Sequence, residues 1–158
     1  MVVRNKMELM TRFKYEPPEV PKDRGKISLH LSRTDIAGFT IQRALKDIGE
    51  TNMHAHTAAD SNWFVLSGEV EFYGYGDVLI AKLGKYEGLT IPRGTPYWFR
   101  AVSEEPLEII HASGRTYDVK SERIDYQPAL HERELGGRDA TDEEREYAAK
   151  VALASAAK

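Results

Sequence analysis

Along most of this chain, apolar and polar residues change places every second position. Ile27-Ser28-Leu29-His30-Leu31 alternates in this way, and so does Phe39-Thr40-Ile41-Gln42-Arg43. Successive side chains of a strand point to opposite faces, so a period of two marks a strand with one buried and one wet side. Asn62 to Leu66 and Glu69 to Tyr73 continue the pattern on either side of Ser67-Gly68, a tight-turn signal that predicts a hairpin between them. Val78–Ala81, Leu89–Ile91, Tyr97–Val102 and Leu107–His111 read as further short strands, separated by turns at Gly84–Gly88, Pro92–Pro96 and Ser103–Pro106. Many short strands with regular turn signals predict an all-β sandwich or small barrel spanning 27–114.

Outside that span the pattern changes. Residues 1–26 mix charges with Pro17, Pro18 and Pro21 and predict an extended arm. Residues 115–139 are polar with scattered Tyr and Ile and carry no period. Thr141 to Glu144 has the form of a capping box, followed by Tyr147, Val151 and Ala154 on one helical face, which predicts a short C-terminal helix near 142–156.

Composition narrows the function classes. With 158 residues, 30% charged and 41% hydrophobic, the chain fits an ordinary globular fold with one core. Lys plus Arg number 22 against 25 for Asp plus Glu, a net charge of -3, which is not a nucleic-acid footprint. There is no cysteine, so disulfides, thiolate metal sites and cysteine nucleophiles are excluded. No apolar run is long enough for a membrane span or a signal peptide, and a cytoplasmic protein with no membrane or nucleic-acid partner is expected. Phosphate-cradling glycine loops and a nucleophile elbow are absent.

The candidate chemistry gathers at His54-Ala-His56 and Asp60. Histidines two apart on a strand lean to one face and offer a shared point two imidazole nitrogens. A carboxylate at Asp60 would add an oxygen, giving the kind of donor set used by divalent iron and similar metals. Tyr97, Trp63, Phe99 and His111 lie on strands where alternate positions face inward, so they are candidates for a pocket wall. Tyr97 could also steer a proton there. Either Gln42 or Arg43 faces inward, and the pattern does not choose between them.

Residues 49–99 resemble the cupin family. Gly49, His54, His56 and Gly68 match its first motif, and Pro92 and Gly94 match its second. Two positions depart. The family's glutamate falls at Ser61, one residue past Asp60, and the histidine of the second motif is replaced by Tyr97. The resemblance implies a single cupin-type jelly-roll barrel that commonly pairs as a homodimer. It implies a pocket for a small-molecule ligand, with His111 able to stand in for the missing third histidine. Three functions follow. One is an oxygenase, isomerase or lyase with Fe, Mn, Ni or Zn held by His54, His56 and Asp60, acting on a small organic acid or carbonyl compound with Tyr97 as catalytic residue. Another is a metal-free barrel that binds or isomerises a small molecule. The third is a non-catalytic dimeric scaffold.

Overall fold

The computed structural model describes residues 9–126 and 137–158. Eleven strands and one helix are found among them, in the order β1 Lys26–Arg33, β2 Ala37–Ala44, β3 His54–His56, β4 Ala59–Ser67, β5 Val70–Gly74, β6 Val78–Leu83, β7 Gly88–Ile91, β8 Trp98–Ala101, β9 Leu107–Arg115, β10 Arg123–Asp125, β11 Arg138–Asp139 and α1 Asp142–Ala156. Nine of these strands overlap runs read from the alternation or the histidine pair, while β10 and β11 fall in the stretch that carried no period.

Two layers form the jelly roll. The first is a five-stranded sheet in the order β1-β2-β9-β4-β7. The second joins two three-stranded sheets, β11-β10-β3 and β6-β5-β8, through a bridge between His54 and Tyr97. Across that seam the His54 N–H donates to the Tyr97 carbonyl at 3.2 Å and the Tyr97 N–H to the His54 carbonyl at 3.1 Å. Between the layers lies a core of Trp63, Val65, Val70, Phe72, Phe99, Leu107 and Ile109, all 3% exposed or less. Burial of this kind contributes on the order of 25 cal/mol per Å² of apolar surface.

One predicted pairing is corrected. The strands flanking Ser67-Gly68 do not form a hairpin: β4 pairs with β9 and β7, while β5 pairs with β6 and β8. Ser67-Gly68 is a corner at which the chain crosses from one layer to the other. Gly68 has φ +75, and a Cβ there would lie 2.9 Å from the Leu107 Cα, so the corner both turns left-handed and passes against backbone.

Residues 9–21 of the arm contain no helix or strand, and residues 1–8 lie outside the described part. The arm runs over the outer face of β2 and β9. There the Tyr15 hydroxyl donates to Glu108 at 2.7 Å, Phe13 packs on Phe39, and Arg43 donates to the Pro18 carbonyl. This settles the orientation of β2: Arg43 faces out beneath the arm, and Gln42 shares the inner face with Thr40 and Ala44.

Helix α1 begins as its sequence predicts. Thr141 accepts from the Glu144 amide, and the Glu144 carboxylate accepts from the Thr141 amide. The buried face is different from the expected one, however. Ala148 and Ala152 are buried, while Tyr147 is 63% exposed and Ala154 is exposed as well. The contact face is rotated because α1 seats on β5 and β6 through its smallest side chains, and Gly74 lies directly beneath Ala152. Ala148 also closes a second apolar cluster of Met53, Ala55, Ile124 and Tyr126, on the face of β3 and β10 opposite the histidines. No helix among the described residues is long and apolar enough to cross a membrane.

Candidate functional site at the barrel mouth

Strand β3 presents His54 and His56 on one face, their rings edge to face with centroids 5.0 Å apart. The Nδ1 of His54 lies 2.6 Å from the Asn52 carbonyl. A carbonyl only accepts, so Nδ1 carries the proton and Nε2 keeps its lone pair. Burial pushes the His54 pKa down to about 3 against the pull of that hydrogen bond, and burial also lowers His56. Both rings are therefore neutral at pH 7.

Strand β10 supplies the groups opposite. Arg123 pairs with His56 and Asp125 with His54, so their side chains share the histidines' face. Arg123 donates to Asp125 at 2.8 Å, and the second oxygen of Asp125 accepts the Gly137 amide at 2.9 Å. The guanidinium charge adds to the depression of both histidines.

The five-stranded layer contributes a polar belt. His30 pairs with Thr40, Thr40 with His111 and His111 with Trp63, so these four side chains follow one another across the inner face. His30 Nδ1 lies 3.0 Å from Thr40 Oγ1, and His111 Nε2 lies 2.9 Å from Ser61 Oγ. Trp63 stacks on His111 with centroids 4.1 Å apart and planes 10° from parallel. Burial lowers the His111 pKa to about 4, with His56 and His30 adding to the shift. His30, His56, His111, Ser61 and Ser113 line a cavity of about 350 Å³, with Arg33 and Arg115 also on its wall.

The candidates divide in this geometry. His54, His56, Ser61 and Tyr97, the four positions of the family's metal motif, come together. The Tyr97 ring lies 5.1 Å from that of His54, and its hydroxyl is beside Ser61 and Trp63. Burial drives the Tyr97 pKa above its ordinary value, which keeps the phenol protonated and unsuited to act as a base near neutrality. Asp60 does not join them. Ser61, Trp63 and Val65 face inward, so Asp60, one residue off that period, faces outward and accepts the Arg93 amide at 2.7 Å. Phe99 is packed in the core, 5.1 Å from Trp63 and 5.2 Å from Phe72. Trp63 is part of the same core, while its stacking makes it the support of His111. Gln42 faces inward one rung deeper, its Oε1 buried without a hydrogen-bond partner among the described residues.

His30, Arg123 and Asp125 were not singled out from the sequence. His30 alternates with Ser28 on the inner face of β1, a signal present in the period. The strand Arg123-Ile124-Asp125 is three residues long and mostly charged, so it offers no period to detect.

The donor set can be compared with what a resident divalent metal needs. Among the described residues, no three His, Asp or Glu side chains are grouped to hold one ion. His54 and His56 provide two imidazoles, but the other two motif positions hold a hydroxyl and a protonated phenol. His111 Nε2 is engaged by Ser61 and does not complete the set. Asp125, the carboxylate on the same face, is engaged by Arg123 and the Gly137 amide. These residues do not fit a three- or four-ligand centre.

Comparison with known proteins agrees with this architecture. Residues 45–113 match the family described as Cupin domain. No curated protein sequence matches the chain. Among solved structures, an uncharacterised conserved protein with a double-stranded β-helix domain from Klebsiella pneumoniae aligns with TM-score 0.60 at 15% identity, covering 70% of this chain and 86% of that one. An RmlC-like cupin from Desulfovibrio desulfuricans aligns with TM-score 0.52 at 23% identity, covering 72% and 96%. A recombinant oxalate oxidase in complex with glycolate aligns with TM-score 0.52 at 16% identity, covering 60% and 53%. With the two-layer jelly roll around its mouth, the chain has the cupin fold, and its residues 45–113 are a cupin domain.

Proposed function

We propose that this cupin takes up a small organic acid at the barrel mouth and holds it by charge and hydrogen bonds rather than through a metal. The carrying observation is the fate of the four motif positions. They converge, yet only two are histidines, and the other two are a serine that bonds His111 and a buried phenol. On the wall of the same cavity Arg33 and Arg115 outnumber Asp35, a balance that suits a carboxylate, while Ser61, Ser113 and the histidines offer hydrogen bonds to hydroxyl or carbonyl groups. The structural neighbour solved with glycolate accommodates a small carboxylate on the same fold. Because burial holds His56 and His111 neutral, they can hydrogen-bond a bound acid's hydroxyl or carbonyl oxygen without adding charge of their own. Pocket groups with pKa values displaced this far from neutrality favour binding of the acid over its acid–base turnover.

The test is a thermal-shift screen of small carboxylates and hydroxy acids against neutral polyols, run with and without a chelator. Stabilisation by a carboxylate that survives chelator, and that is lost in Arg115→Ala and His56→Ala, supports the reading. Stabilisation that chelator abolishes, or that neutral polyols match, contradicts it.

A further inference from the structure

A second cavity, of about 380 Å³, lies between the two layers and α1. Its inner wall is apolar: Phe72, Ile80, Leu89, Ile91, the ring of Tyr97 and, from the helix, Val151. Polar groups appear at its opening, where Thr90 and Lys158 are solvent-exposed. β7 is the edge of one sheet and β6 the edge of the other, so the cavity occupies the side where the layers are not hydrogen-bonded together.

The space is not a loosely docked helix. Ala148 and Ala152 are 1% and 4% exposed, and a Cβ added to Gly74 would stand 3.0 Å from the Cβ of Ala152. At those positions α1 is as close to β5 as the backbone permits. The void persists beside that contact because the helix turns only small residues and Val151 toward it. Protein interiors normally leave few voids larger than a water, whereas ligand pockets run from about 300 to 1,000 Å³ with mostly apolar walls.

Tyr97 separates this cavity from the mouth. Its ring lines the apolar space while its hydroxyl is turned to Ser61, which lines the polar one. We infer that the space under α1 is a second binding site, distinct from the mouth, for a neutral and largely hydrocarbon small molecule. Among the described residues its ionisable side chains are the exposed Lys158 and the phenols of Tyr73 and Tyr97, both held protonated, so a charged occupant would lose hydration without gaining a buried counter-ion.

The experiment is a fluorescence titration of the full chain with the neutral dye 1-aminoanthracene, followed by displacement with 1-decanol. The expected result is saturable binding of one dye per chain, reversed by decanol. Val151→Phe, which fills the cavity, should weaken binding at least about tenfold with the thermal midpoint kept or raised. Ile80→Phe fills it from the opposite wall and gives the same readout should the helix variant fail to fold. His56→Ala should leave dye affinity unchanged, which separates this site from the mouth. Absence of saturable binding, or binding lost in His56→Ala and kept in both filled variants, overturns the inference. So does sedimentation in which the wild type is a dimer that Val151→Phe dissociates, because the occupant is then a second copy.

Discussion

The Oγ of Ser61 lies 2.9 Å from the Nε2 of His111. Ser61 stands where the cupin motif has its glutamate, and His111 is the histidine best placed to replace the one lost at Tyr97. The hydrogen bond between them ties the vacated glutamate position to His111 in a neutral polar wall. It follows that the metal set is recoverable by restoring both side chains. The double variant Ser61→Glu, Tyr97→His should bind a divalent metal at least about tenfold more tightly than the wild type by isothermal titration. Equal affinity in the two proteins would mean that these positions do not control the site.

His54 and His111 give the fold an acid sensitivity whose sign is fixed. Their folded pKa values, about 3 and about 4, lie below the 6.5 of the unfolded chain. The unfolded state therefore takes up protons first as pH falls, and stability drops from pH 6.5 downward. Each histidine contributes a slope of about 1.4 kcal/mol per pH unit over that window. Denaturant unfolding at pH 7 and pH 5 should show the loss, and His111→Asn should lessen it. A stability unchanged between those two pH values would contradict the burial of both rings as neutral imidazoles.

Gly68 at the layer-crossing corner should tolerate no side chain. A residue with a Cβ is strained at φ +75 by about 1–3 kcal/mol, and the contact with Leu107 adds to that. Gly68→Ala should lower the unfolding midpoint well beyond what Gly76→Ala does, because among the described residues nothing lies within 4 Å of a Cβ at Gly76 although its φ is also positive. Equal effects would show that backbone conformation alone, and not the close approach, sets the cost.

The cap of α1 is open to a similar check. Thr141→Ala removes the side chain that accepts the Glu144 amide and should cost about 1 kcal/mol. Because α1 covers Met53, Ala55 and Ile124, the loss should appear as increased amide exchange in β3 as well as in the helix. Exchange confined to the helix would indicate that β3 does not depend on it.

Much of this architecture is legible in the alternation. Ser61, Trp63 and Val65 face in because they share a period, and the same count places Asp60 on the outer face. The layer change at Ser67-Gly68 is harder to read. A glycine that turns a hairpin and a glycine that turns a corner look alike until the partners of each strand are known. The helix face departs from its hydrophobic pattern: Tyr147 and Val151 outrank alanine in hydrophobicity, yet close packing on Gly74 selects the alanines. Arg123 and Asp125 had no local signal. Their place at the site comes from pairing with His56 and His54 from 67 and 71 residues away.

Metal content of the purified chain, measured after loading with Fe, Mn, Ni and Zn in turn and exhaustive desalting, tests the central claim most directly. Far less than one ion per chain, with no difference between wild type and His56→Ala, is expected of a mouth that works by hydrogen bonds and charge. One ion per chain that disappears in His56→Ala would contradict it.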